Sequence, residues 1–154
     1  MALEIERKFL VKDDSYIQMA ESVHVIEQYY LSLCPERTVR VRIFDDRAFL
    51  TVKGKNSGCV RHEWEYEIPV SDARQMIEIT DGVGISKRRF IVNYAGHRWE
   101  VDRFSGRHEG LVLAEIELKD ASEQFSMPEF IGKEVTDDKA YYNSVLVLNP
   151  NVAH

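Results

Sequence analysis

The feature that most constrains this chain is a period of two. It opens M-A-L-E-I-E-R-K-F-L-V, where Glu4, Glu6 and Lys8 alternate with Ile5, Arg7 and Phe9. Alternate residues of a β-strand share a face, so these three charges look into one space. The spacing returns along the chain in Arg40 and Arg42; Lys53 and Lys55; Arg61, Glu63, Glu65 and Glu67; Lys87 and Arg89; Glu100 and Asp102; and Glu115, Glu117 and Lys119. The opposite faces carry Ile5, Phe9, Val39, Val41, Ile43, Leu50, Val52, Trp64, Tyr66, Ile68, Phe90, Trp99, Val101, Ile116 and Leu118. Those apolar faces must be buried too.

The alternation predicts strands over 24–33, 38–44, 48–54, 61–68, 86–94, 97–104 and 111–119, after the opening one. A hairpin turns around Asp45-Asp46-Arg47 and another at Ala95-Gly96. Helices are expected over 13–22, with Asp13, Asp14 or Ser15 as N-cap; over 71–81, capped by Ser71 and ending before Gly82; and over 137–148, capped by Thr136. About eight strands with few helices read as α+β, mainly antiparallel β, of a size that suits a closed barrel. No linker divides the chain, and residues 1–154 are expected to form a single domain.

Two arrangements satisfy the pattern. In the ordinary one, the apolar faces fill a small barrel or sandwich and the charged faces meet water. In the other, the charged faces line a barrel interior and helices cover the apolar faces from outside. A solvated face usually mixes Ser, Thr, Gln and Asn with its charges, whereas this one is nearly all Glu, Asp, Arg and Lys. That composition strains the ordinary reading, yet the pattern alone leaves both open.

Several function classes are disfavoured. The formal net charge of −6 gives no basic surface for general nucleic-acid binding. No apolar stretch approaches a membrane span, and no signal-like leader opens the chain, so a cytoplasmic protein is expected. Cys34 and Cys59 have no metal-ligand spacing and are expected to be reduced. His24, His62, His97, His108 and His154 likewise show no ligand spacing, and Gly54, Gly58 and Gly84 read as turn residues. Trp64 and Trp99 read as packing between the barrel wall and outer helices.

If the charges face inward, the acids need an explanation, because unpaired buried carboxylates are costly. Hard Mg²⁺ or Mn²⁺ takes carboxylate oxygens together with substrate phosphates. Glu4 and Glu6, with Cα atoms roughly 7 Å apart on one strand, pair naturally with Glu115 and Glu117 to hold metal from two walls. The bases then grip phosphate oxygens, Arg in bidentate fashion and Lys as a point charge. Such a site is suited to phosphoryl transfer to water.

The residues E-I-E-R-K at 4–8 match the ExExK signature of the CYTH superfamily, the triphosphate tunnel metalloenzymes. The resemblance continues through V-R-V-R (39–42), L-T-V-K (50–53), R-H-E-W-E (61–65), S-K-R-R-F (86–90), W-E-V-D-R-F-S-G (99–106), L-A-E-I-E-L (113–118) and G-K-E-V-T-D-D-K-A-Y-Y-N (132–143). It covers nearly the whole chain and is greatest to small bacterial inorganic triphosphatases. It implies an eight-stranded closed tunnel with a charged interior and a few helices outside. Carried over, Glu4, Glu6, Glu115 and Glu117 correspond to metal ligands for Mg²⁺ or Mn²⁺, with Glu63 and Asp102 as supporting acids. Lys8, Arg40, Arg42, Lys53, Arg61, Lys87 and Arg89 correspond to triphosphate-binding bases. Lys87 and Tyr30 best match a pair that assists the attacking water, although Tyr29 stands next to Tyr30.

The implied activity is hydrolysis of inorganic triphosphate to pyrophosphate and orthophosphate, extending to nucleoside or thiamine triphosphates. The alternatives are a class IV adenylate cyclase and a non-catalytic binder of polyphosphate or inositol phosphates. The implied partner is a small-molecule triphosphate, with neither nucleic acid nor membrane; a homodimer is compatible with the reading. The roles of Lys55, Tyr142 and Asn143 stay open.

Overall fold

A computed structural model describes residues 3–148. His154 therefore lies outside the described residues. The chain runs β1 (Leu3–Val11), α1 (Ser15–Met19), β2 (Ser22–Ser32), β3 (Arg37–Phe44), β4 (Arg47–Gly54), β5 (Val60–Ile68), α2 (Val70–Glu78), β6 (Ile85–Tyr94), β7 (His97–Phe104), β8 (Val112–Glu117), β9 (Ile131–Glu134) and α3 (Asn143–Leu146), with short 3₁₀ turns at Gly106–His108 and Lys139–Tyr141.

The strands follow the order β5-β4-β3-β2-β6-β7-β8-β1-β9, and β5 returns to pair with β1. Eight antiparallel strands thus close into a barrel, and β9 extends it beside β1. Closure rests on the length of β1. Its first residues pair with β5 (Leu3 with His62, Glu4 with Arg61), and its middle pairs with β8 (Glu6 with Glu117, Lys8 with Glu115). Every strand edge of the barrel is thereby satisfied.

Local chemistry sets the corners. Asp45 adopts φ 55°, and Ala95 and Gly96 adopt φ 48° and 81°. These left-handed conformations suit two-residue hairpin turns whose twist matches the flanking strands. At Gly84, a Cβ would stand 2.5 Å from the Tyr29 ring, so only glycine fits between β2 and the start of β6.

Most of the apolar core lies outside the barrel. Phe9, Phe90, Val92, Trp99, Val101, Ala114 and Ile116 are buried on the outer wall with Tyr16 of α1 and Phe130. Val41, Ile43 and Ala48 pack with Ala73 of α2. Ile85, Phe104 and Leu113, on the inner faces that carry Lys87, Asp102 and Glu115, form a further cluster with Leu111 and with Val135, Tyr141 and Leu146 of the C-terminal segment. The arrangement in which charged faces line the barrel interior is therefore the one the chain adopts.

Several expectations are corrected. Trp64 and Tyr66 are 40% and 63% exposed, because α2 covers β3 and β4 and leaves the outer face of β5 open. The first helix shrinks to Ser15–Met19, and the second begins beside Pro69 without a side-chain cap at Ser71 and ends at Glu78. The predicted helix over 137–148 breaks at Tyr142, whose ψ of 134° is extended. The preceding carbonyl, that of Tyr141, accepts from Lys8 Nζ (3.1 Å), and Tyr142 is held through its hydroxyl by Asn56. Asp138 rather than Thr136 caps the 3₁₀ turn, while Thr136 Oγ1 accepts from the Lys8 amide (3.0 Å). The ninth strand was not predicted. Among the described residues, no helix is long and apolar enough to cross a membrane.

Candidate active site

The barrel encloses a polar cavity of about 210 Å³. Its walls bring together Glu4, Glu6, Lys8, Tyr30, Arg40, Arg42, Lys53, Arg61, Glu63, Lys87, Arg89, Glu115 and Glu117. Glu117 is exposed at the rim. Lys55 lies past the end of β4, exposed and away from the cavity lining, and Glu67 pairs with Arg47 outside it. Asp102 stands behind the wall, fully buried under Lys87 and Arg89. Tyr30 faces the cavity, whereas Tyr29 points out against Gly84.

Strand order sorts the charges. Adjacent strands β7, β8, β1 and β5 carry Glu100, Glu115, Glu117, Glu4, Glu6, Glu63 and Glu65, and the strands opposite, β4, β3 and β6, carry Lys53, Arg40, Arg42, Lys87 and Arg89. One wall is mainly acidic and the other basic, with Lys8 and Arg61 as the bases set on the acidic side.

The acidic wall is crowded. Burial, Glu63 and Glu115 raise Glu4 to about 7 despite Lys53. Burial and the neighbouring Glu115 and Glu4 raise Glu6 well above the ordinary range. Burial opposes ionisation of Glu115 and Glu63 as well, but Lys8 holds the first low and Lys53 the second. Glu4 shares a hydrogen bond with Glu63, and Glu6 with Glu115. In each acid–acid pair the neighbouring carboxylate opposes ionisation, as like charges side by side do. Burial, Glu63 and Glu100 raise Glu117 too. Lys53 bridges Glu4 (3.1 Å) and Glu63 (3.2 Å), and Lys8 stands 3.7 Å from Glu115.

The basic wall has unspent capacity. Arg40 Nε is buried with no hydrogen-bond partner among the described residues, although Arg40 Nη2 donates to Thr51 Oγ1. Burial, Arg40 and Arg89 bring Arg42 down to about 9. Burial lowers Lys87 to about 7, with Arg89 and Arg42 adding to the effect and Asp102 opposing it. For Asp102, Arg89 and Lys87 together overcome burial and keep the carboxylate ionised. Such a cluster is electrostatically incomplete without an anion.

Two side chains that the sequence pattern did not single out for chemistry complete the site. Gln28, fully buried on the inner face of β2, donates through Nε2 to Tyr30 Oη (3.2 Å) and Asn143 Oδ1 (2.9 Å), and accepts from Arg42 Nε (3.0 Å). Asn143, left open above, also accepts from Lys87 Nζ (2.6 Å). The signal for Gln28 was its spacing of two from Tyr30.

A CYTH domain model matches residues 2–144. The chain belongs to the CYTH family. An inorganic triphosphatase of Acetivibrio thermocellus is 46% identical over 151 residues, spanning 97% of this chain and 96% of that one. An inorganic triphosphatase of Nitrosomonas europaea is 32% identical over 149 residues, covering 95% of this chain and 97% of its own. The crystal structure of the inorganic triphosphatase NE1496 superposes with a TM-score of 0.68 at 32% identity over 96% of both chains. The fold of this CYTH domain is thus shared with that solved structure over nearly the whole of both chains.

Proposed function

We propose that this CYTH protein hydrolyses inorganic triphosphate to pyrophosphate and orthophosphate with Mg²⁺ or Mn²⁺. The observation that carries the reading is the division of one barrel cavity into a wall of crowded carboxyls and a basic wall with a buried guanidinium nitrogen that has no partner among the described residues. A compact, highly charged anion together with a hard cation satisfies both walls at once. The two inorganic triphosphatase relatives support the substrate.

The residues present fit a divalent metal. Burial and neighbouring carboxyls oppose ionisation of Glu4 and Glu6, and a divalent cation would relieve that repulsion. Among the described residues, no three acidic, histidine or cysteine side chains are already gathered as a coordination sphere. Glu4, Glu6, Glu115 and Glu117 would hold the metal, with Glu63 supporting them. When bound, such a metal offsets phosphate charge and lowers the pKa of water.

The chain's own part is to bind and orient. Arg40, Arg42, Lys53, Arg61, Lys87, Arg89 and Lys8 hold the phosphate oxygens, with Arg40 and Arg42 kept in place by Thr51 and Gln28. Asp102 fixes Lys87 and Arg89 from behind. Lys87, shifted toward neutrality, and Tyr30 assist the attacking water by taking or steering its proton. The test is orthophosphate release from inorganic triphosphate, ATP and thiamine triphosphate in parallel, with Mg²⁺, Mn²⁺ or chelator. Metal-dependent release, fastest from inorganic triphosphate, is expected; absence of release from all of them would end the hydrolase reading.

A further inference from the structure

We propose that Asn143 is a positioning residue for Lys87, and that through Gln28 it sets Lys87, Tyr30 and Arg42 as one unit. The inference rests on the triphosphatase reading above and extends it to residues outside the charged pattern.

Lys87 and Tyr30 lie on β6 and β2, and two amides connect them. Asn143 Oδ1 accepts from Lys87 Nζ at 2.6 Å and from Gln28 Nε2 at 2.9 Å, and the same Gln28 Nε2 reaches Tyr30 Oη at 3.2 Å. Gln28 Oε1 accepts from Arg42 Nε at 3.0 Å, so both amide donors and the acceptor of Gln28 are engaged. Because both groups facing Asn143 Oδ1 are donors, its amide orientation is fixed by chemistry. An ammonium has three N–H donors. Asp102 at 2.7 Å and Asn143 take two from Lys87, leaving one direction in which it can serve a ligand in the cavity.

Asn143 is itself held from outside the cavity. It opens α3, whose Leu146 is fully buried. His108 Nε2 donates to the Leu146 carbonyl at 2.5 Å and Arg107 Nη1 to that of Val147 at 3.3 Å. The C-terminal segment therefore delivers one amide to the cavity from an anchored base, and truncating that amide leaves the anchoring contacts in place.

Loss of the amide should disorder the Lys87 ammonium without unseating the substrate, which the other bases still grip. The experiment measures kcat and KM for Mg²⁺-dependent orthophosphate release from inorganic triphosphate on wild type, Asn143→Leu, Asn143→Ala, Lys87→Ala and the Asn143→Leu/Lys87→Ala double variant, with the melting temperature of each. The expected result is a kcat lowered roughly ten- to hundred-fold in Asn143→Leu, about the worth of a charge-assisted hydrogen bond, with KM changed less than about three-fold and the double variant no slower than Lys87→Ala. A kcat equal to wild type, or a loss that multiplies with that of Lys87→Ala, would overturn the inference and leave hydrolysis standing. Should Asn143→Leu fail to fold, Asn143→Ala is judged by the same criteria. A wild type that releases no orthophosphate overturns the triphosphatase reading and this inference with it.

Discussion

Asp102 Oδ2 stands 2.7 Å from Lys87 Nζ, with the two side chains only 2% and 1% exposed. The same carboxylate is gripped by Arg89 Nε and Nη2 at 2.8 and 2.9 Å. One buried acid thus answers two buried bases. Asp102→Ala removes the carboxylate that both bases share, leaving Arg89 with Glu100 at 3.4 Å, and breaking such a buried pair costs about 3–5 kcal/mol. Chemical denaturation is expected to show that loss, whereas Glu67→Ala, which breaks the exposed pair with Arg47, should cost less than about 1 kcal/mol.

Glu4 and Glu6 carry folded pKa values raised by burial and by neighbouring carboxyls, Glu4 from 4.5 to about 7. Between those two values the folded state binds more protons than the unfolded one, so stability falls as pH rises. In chelator, unfolding free energy should drop by about 2 kcal/mol from pH 5 to pH 7 on account of Glu4. Thermal or denaturant unfolding across that window checks it. Glu4→Gln should flatten the slope, and saturating Mn²⁺ should reverse it, because metal binding requires the ionised carboxylates.

Arg40 Nε is buried without a hydrogen-bond partner among the described residues. A guanidinium in that state reads as a donor reserved for an anion, and lysine cannot reproduce its fork. Arg40→Lys is expected to raise KM for inorganic triphosphate about ten-fold or more, in steady-state assays, while melting temperature moves little.

Trp99 is fully buried on the outer wall against Phe9 and Phe125, while Trp64 on β5 is 40% exposed. Trp99→Ala should destabilise by about 3–5 kcal/mol. Trp64→Ala should cost under about 1 kcal/mol. Equal losses on denaturation would contradict a core placed outside the barrel.

Much of this was legible in the sequence because strands have an integer period. The hairpin at Ala95-Gly96 sets Arg89 opposite Asp102, whereas the register that sets Lys8 opposite Glu115 joins distant strands and appears only in the fold. What period two cannot show is which face is covered, and so Trp64 and Tyr66 were expected inside a packing layer that α2 never reaches. Nor does it reveal contacts made by irregular backbone. Tyr142 breaks the last predicted helix because Lys8 and Asn56 claim the groups on either side of the bend. Gln28 and Asn143 were missed as a pair because they are uncharged and are 115 residues apart.

The division of labour between the walls is the central claim, and it is tested most directly on Glu4→Gln/Glu6→Gln by measuring orthophosphate release across a Mn²⁺ series alongside calorimetric binding of inorganic triphosphate. Turnover is predicted to fall at least about a hundred-fold at every metal concentration, with triphosphate still binding through the basic wall. Metal-dependent turnover close to wild type would contradict it.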